Sequence, residues 1–353
     1  MPDWTKTMQQ TFEYYIVDPN TWRDEKRVDN VISSSITRDL TAETRGYANL
    51  TFTESPGECY IRIYLITIQN GIKERFPLGT YLIQTPSYSF NGIVKNISVD
   101  AYTPLLELKE NMPPLGYSIL KGSKVMDNVY KIMREQMRAP LITVSNSTKL
   151  DSDFTANIND TWLVFLTDLI SKAKLEIQLD ELSRIIFTPK QKTAALRPVW
   201  TYDDTNSSIL YPDIEMSHDL YGIPNVVEVI YSEGVKCYHG IATNDNPNSP
   251  TSTVNRKRKI TKRVNNPSLP GTPSQVVVQQ YAEQLLLEAS EIEYTISYKH
   301  GYCPVRIGDC VRLNYKKAGI YDVRAKVISQ NIDCTPGCPV SEKASFTANL
   351  WKE

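Results

Sequence analysis

The sequence contains no charge-free apolar run approaching the ~18 residues that a membrane-spanning helix needs. Residues 1–17 show no basic segment followed by an apolar one, so no secretory signal is expected. Folding in a reducing compartment is then the expectation, and structural disulfides are disfavoured. Histidine is scarce, with only His218, His239 and His300 in the chain. A hydrolytic nucleophile needs a base that a third group orients. None of these histidines lies in an H-E-x-x-H pattern, and G-x-S-x-G and Gly-rich phosphate-loop motifs are missing as well. Nor is there an excess of either charge. Against 39 Lys and Arg stand 40 Asp and Glu, a formal net charge of -1, which offers no general pull toward nucleic acid or anionic lipid. These absences point away from an enzyme and toward protein partners; no catalytic residue and no cofactor is expected. Acidic pairs such as Asp203 with Asp204 and Asp151 with Asp153 fall in turn-like stretches, where caps and Asx-turns are the ordinary role. The two carboxylates of a glycosidase meet only in space, so that class has no signature to read here.

Six cysteines are present. Cys303 and Cys310 form one pair and Cys334 and Cys338 another, and together they are the only candidate metal ligands. The second pair alone has the ~2 to 4 intervening residues common in tight zinc knuckles. Cys310 also sits in an alternating stretch, 309–315, whose one face takes Cys310, Arg312 and Asn314 and whose other takes Val311, Leu313 and Tyr315. The expectation is therefore a barrel strand with unligated thiols and no metal. Cys59 and Cys237 have no cysteine neighbour in sequence and read as core residues.

What the chain does have is β-forming residues: 21 Tyr, with 21 Pro and 15 Gly to punctuate short strands. Its 353 residues fit two or three compact units. In the first hundred residues, period-two segments at 47–53 and 60–66 flank Pro56-Gly57. Asn70-Gly71 leads into 72–76, and Asn91-Gly92 joins 81–90 with 94–102. With strands near 12–17 and 31–36 this makes about seven antiparallel strands, a number suited to a closed or nearly closed barrel that hides its edges.

The pattern then becomes helical. Val125, Met126, Val129, Ile132, Met133 and Met137 fall on one stripe, as do Trp162, Leu163, Phe165, Leu166, Leu169 and Ile170. Strands at 175–179 and 184–188 complete a small α+β module, read as two helices on a hairpin outside the barrel wall. From residue 198 strands return, first as a hairpin at 226–231 and 235–241. A polar loop, a basic run at 256–263 and a helix with Thr272 as its cap, Pro273 at its first position and Gln275 bonding back follow, then strands at 292–298, 310–315, 320–329 and 344–351. The basic run has no interleaved aromatics and reads as a solvated strand or loop. Gly79-x-Tyr81 and Gly319-x-Tyr321 each open a terminal hairpin of their β region, which points to an internal duplication.

Four stretches, VISSSITRDLTAETRGYANLTF at 31–52, FPLGTYLI at 76–83, VDAYTPLL at 99–106 and IGDCVRL at 307–313, together resemble the baseplate or tail-tip hub proteins of long-tailed bacteriophages. They are similar also to the N-terminal hub part of type VI secretion spikes. The resemblance implies a mainly β fold with α+β insertions: two tandem tube-like antiparallel β-barrel domains plus a small helical α+β module. On it, 1–109 form the first barrel and 110–196 the module. Residues 197–241 with 292–353 form the second barrel, with 242–291 inserted in it. It further implies a virion protein, assembled in the bacterial host cytoplasm, that acts as a homotrimer matching a sixfold tail tube to a threefold spike or tip. Expected partners are tail tube or distal tail ring proteins, a central spike or tip protein and a tape-measure protein, with DNA passing through the channel but no sequence-specific nucleic acid. The chain ends at residue 353 soon after the second barrel, so any peptidase, lysozyme or spike domain is expected on other chains. The competing readings are a receptor- or carbohydrate-binding β-rich tail protein, with tyrosines as stacking platforms, and a peptidoglycan hydrolase.

Overall fold

The computed structural model describes residues 1–351 apart from 55, 91, 94, 192 and 270. The fold is mainly β, 46% strand and 15% helix. Seven strands come first: β1 (Gln9–Asp18), β2 (Arg23–Val28), β3 (Val31–Asp39), β4 (Gly46–Phe52), β5 (Tyr60–Gln69), β6 (Ile72–Phe90) and β7 (Lys95–Tyr102). They pair antiparallel in the order β2-β1-β5-β6-β7-β4-β3. Strands β2 and β3 stand at opposite ends of this path, yet only residues 29 and 30 separate them in sequence. In a flat sheet the two would lie roughly 29 Å apart at ~4.8 Å per strand, far beyond a two-residue connection. The sheet must therefore roll up, and the expected near-closed barrel is present. The β5–β6 turn has Asn70 at φ 51° and Gly71 at φ 79°, both left-handed as a tight hairpin requires. The second Asn-Gly turn falls on Asn91, with Val94 beside it, and lies outside the described residues.

The helical module follows as α1 (Leu106–Lys109), β8 (Ser118–Ile119), α2 (Val125–Gln136), β9 (Phe154–Thr155), α3 (Trp162–Lys172), β10 (Leu175–Leu179) and β11 (Ile185–Pro189). Both apolar stripes are buried. Thr161 caps α3 by accepting from the Val164 amide, one of the donors a helix start leaves unsatisfied. Trp162 and Phe165 pack on Tyr117 and on each other within the module's own core. That core continues into the first rolled sheet through Val17, Trp22, Tyr60 and Leu82. Polar groups fix the docking: Trp22 Nε1 donates to the Leu182 carbonyl at 2.9 Å, and the Thr80 amide donates to Ser183 Oγ at 2.7 Å.

After β12 (Pro198–Asp203) and β13 (Leu210–His218) comes an insertion made of β14 (Val226–Glu233), β15 (Lys236–Thr243), α4 (Thr253–Arg256), β16 (Thr261–Asn265) and α5 (Gln275–Ala289). The chain ends with β17 (Glu291–Gly301), β18 (Cys310–Asn314), β19 (Val323–Asp333) and β20 (Pro339–Asn349). The stretch that holds Cys310 is thus a wall strand, as its alternation implies. Backbone contacts divide the chain into two compact units, 1–214 with 298–344, and 215–297 with 345–353.

In the second unit, β14 pairs with β15 and with β16 in a three-stranded sheet, and α5 packs on it through Val278, Ala282 and Leu286 against Val227, Val229 and Ala242. The hairpin at 226–241, expected in the wall of the second barrel, belongs to this separate sheet. Its inward alternation faces a helix rather than a barrel interior. Gly240 is needed there, since a Cβ would come within 2.5 Å of the Val278 carbonyl oxygen. The cap of α5 is Ser274, which accepts from the Val277 amide, not Thr272 as the sequence suggested. The basic run contributes β16, parallel to β14, with Arg263 paired to Glu228. Arg256 donates to the Leu220 and Ile223 carbonyls.

The remaining strands follow the path β12-β18-β19-β20-β17-β13. Matched by position, β12, β13, β17, β18, β19 and β20 take the places of β1, β3, β4, β5, β6 and β7, in the same chain order and the same sheet order. Strand β12 departs by running parallel to β18, whereas β1 is antiparallel to β5. This sheet also rolls: the Tyr315 hydroxyl, just past β18, lies 3.5 Å from the carbonyl of Pro212 in β13, although four strand spacings, roughly 19 Å, would part β18 from β13 in a flat sheet. The two rolled sheets join at β19. Its Val323–Lys326 segment is taken by β18, and its Ser329–Asp333 segment pairs antiparallel with β3.

Candidate functional site

A cluster of buried reactive side chains lies inside the second rolled sheet. Tyr202 comes from β12, Tyr298 and His300 from β17, Gln330 from β19, Glu342 from β20, and Cys303 from the segment after β17. All six are 2% exposed or less. His300 Nε2 lies 3.1 Å from the Tyr202 hydroxyl and 3.4 Å from Glu342 Oε2, while its Nδ1 lies 2.7 Å from the Gly301 carbonyl oxygen. Tyr298 donates to the other Glu342 oxygen, and Gln330 Nε2 donates to Glu342 Oε2 at 2.6 Å. Arg38 of β3 reaches in from the sheet joint, donating to Gln330 Oε1 at 3.2 Å.

Burial alone would push the imidazole down, but its contacts with Cys303 and with Glu342 outweigh that and raise His300 to about 10. Both ring nitrogens then carry protons, and both have acceptors in place. Burial also drives the Tyr202 and Tyr298 phenols well above their usual value, with Glu342 adding to it. A cysteine, a histidine and a glutamate side by side resemble a nucleophile with its base, but the geometry opposes that reading. Cys303 Sγ is 4.0 Å from Nδ1, whose short contact is with a backbone carbonyl, and the cluster is closed to solvent. What it can do is tie β12, β17, β19, β20 and β3 together by side chains, with the His300 charge facing Glu342 inside the wall.

The expected site residues are dispersed. Cys303 lies against Tyr202 at 3.2 Å, Cys310 faces the Val311 carbonyl at 3.7 Å, and Cys334 and Cys338 flank the β19–β20 turn. All four are buried free thiols. Burial raises the Cys310 thiol, pushes Cys334 up to about 12 and raises Cys338 as well, which disfavours the thiolate a metal would need. Among the described residues no three His, Cys, Asp or Glu side chains are placed to hold a metal ion. Cys237, read as a core residue, is exposed on β15. Asp203 accepts from the Thr205 amide two residues on, the local turn role expected of it, whereas Asp153 accepts from the Lys121 amide, a contact between distant segments rather than a local turn. Glu342 and Tyr202 went unnoticed in the sequence. The signal was Glu342 between Val340 and Ala344, an acidic residue at an inward position of an alternating strand.

No family model matches the sequence, and no curated protein matches it significantly. Solved structures do match. A tail protein from Neisseria meningitidis MC58 superposes with a TM-score of 0.62 at 12% identity, over 97% of this chain and 98% of that one. The 43 kDa tail protein of prophage MuSo2 from Shewanella oneidensis gives 0.60 at 11% identity, over 95% and 98%. The chain has the fold of phage tail proteins. The tail-protein fold spans both rolled sheets, the module and the insertion, since coverage is nearly complete on each side.

Proposed function

We propose that this chain is a structural hub of a phage tail baseplate or tail tip, without enzymatic activity. In this reading three copies assemble so that their two rolled sheets each make a ring of six, which matches a sixfold tail tube above and offers threefold symmetry to a spike or tip below. The observation that carries the proposal is the repeated strand order: one chain holds two equivalents of a single wall element, as a trimer facing a hexameric ring requires. The tail-protein fold supports the setting, and the dispersed, solvent-closed reactive groups support a structural role. Tail tube or distal ring proteins and a spike or tip protein are the partners, with a tape-measure protein and DNA inside the channel, and the assembled protein belongs to the virion. The subunit interface buries more than ~2,000 Å² per pair, as obligate assemblies do. Mixing the purified chain with assembled tube rings tests this by electron microscopy. Density capping the ring ends is expected; a chain that stays apart from the rings but binds a glycan array would replace the hub with a receptor-binding protein.

A further inference from the structure

The joint between the two rolled sheets within one chain shows what its outer edges are shaped to meet. On β19, the edge facing away from β20 is fully used: β18 takes its first half and β3 takes Ser329–Asp333. On β6, the equivalent strand, β5 pairs as far as Leu82. Beyond it, residues 86–90 pair with β7 alone among the described residues. The matching socket is also open. Strand β3 holds β4 on one edge and β19 on the other, whereas its equivalent β13 pairs, among the described residues, with β17 alone and ends the sheet.

We infer that residues 86–90 of one copy pair antiparallel with residues 214–218 of β13 in the next copy, repeating between chains the β19–β3 joint made within one. This inference rests on the proposed hub and assigns its subunit contact. Both β3 and β13 are nine residues long, so the Ser35–Asp39 segment of β3 corresponds to 214–218. The internal joint sets Ser35 opposite Asp333 and Thr37 opposite Asn331. Carried over with the last residues before each hairpin turn, that register sets Ile214 opposite Phe90, Met216 opposite Tyr88, Glu215 opposite Ser89 and Ser217 opposite Ser87. One face of the new pairing is thus apolar and the other polar. Tyr88, Phe90 and Met216 are 75%, 68% and 47% exposed in the single chain, and cross-strand aromatic and aliphatic pairs of this kind stabilise a ladder. Slipping by one residue would set Tyr88 and Phe90 against the polar face, which fixes the register. Each open edge carries one proline, Pro86 and Pro212, which withdraws a donor and discourages indiscriminate edge pairing. The contact is head-to-tail, so it propagates from copy to copy until a ring closes.

The test is cross-linking in a Cys59→Ser, Cys237→Ser background. Tyr88→Cys combined with Met216→Cys should give, on mild oxidation, intermolecular disulfides that run as multimers on a non-reducing denaturing gel, since directly opposed residues have the Cβ spacing a disulfide needs. Tyr88→Cys with Glu215→Cys, one residue out of register, should not. Tyr88→Asp or Met216→Asp should each dissociate the native multimer by light scattering while leaving the circular dichroism of the single chain unchanged, because both sites are solvent-facing. Multimers that persist in both aspartate variants and give no Tyr88–Met216 disulfide would overturn the inference and leave the hub standing. A wild-type chain that is monomeric at every concentration, beside tube rings as well as alone, would overturn both.

Discussion

The two rolled sheets share a strand order and differ in how they handle charge. Each buries one cation beside a carboxyl group. In the first, Arg62 of β5 is 3% exposed, pairs with Asp24 at 2.9 Å and donates to Thr80 Oγ1 at 2.7 Å, but the Asp24 side chain is still 21% exposed and also meets Arg75. In the second, the His300 and Glu342 side chains are both at 0%. Removing one partner of a pair is costly in proportion to how little water can replace it. The second sheet therefore has a wall locked by buried polar groups. The first is held by a pair that water can partly reach, and by the apolar core it shares with the helical module.

That contrast can be broken from either side. Glu342→Leu should cost the most, about 3 to 5 kcal/mol in urea unfolding, because it strands the His300 charge and leaves Tyr298 and Gln330 without their acceptor. Glu342→Gln, which removes the charge but keeps one acceptor oxygen, should recover part of that loss, and equal losses for the two variants would show that the missing charge accounts for all of it. Next in size is the pH dependence. His300 is raised from an ordinary 6.5 to about 10, so the folded state holds a proton that the unfolded state releases. The stabilisation is complete below pH ~6.5 and falls as pH rises toward 10. Between pH 7 and 9 this proton should account for a fall in the unfolding free energy on the order of 2 kcal/mol, separate from the fall that the buried thiols add as their unfolded counterparts titrate near ~8.5. His300→Gln should flatten that slope. The smallest effect is expected in the first sheet, where Arg62→Met should cost about 1 to 3 kcal/mol, since Asp24 keeps Arg75 and solvent. A larger loss for Arg62→Met than for Glu342→Leu would reverse the ranking.

Much of this fold is legible in the sequence wherever one residue pattern serves one surface. The stripes of α2 and α3 and the strand at 175–179 are read with little error because each buries a single face against its neighbours. The hairpin at 226–241 reads as barrel wall but lies in a separate sheet for the same reason: alternation records that one face is covered, not whether a barrel or a helix covers it. The duplication is a subtler case. Gly79 sits inside β6, where the Tyr81 ring lies over it and a Cβ would come within 2.4 Å of the Tyr81 hydroxyl. Gly319 sits in the turn before β19, and Tyr321 is 67% exposed. The shared tripeptide has two unrelated roles, although the duplication it pointed to is present in the strand order. The buried cluster was hidden because its members are scattered from Tyr202 to Glu342 and meet only once the sheet has rolled up.

The repeated strand order makes one claim above the others, that two sheets in one chain are built to stand as neighbours in a ring of six. Electron-microscopy class averages of the purified chain, with mass measured on the same sample, test it most directly. The expected result is a closed ring of three chains with six similar lobes around a central channel. A monomer, or a closed ring whose chain number is not three, would contradict it.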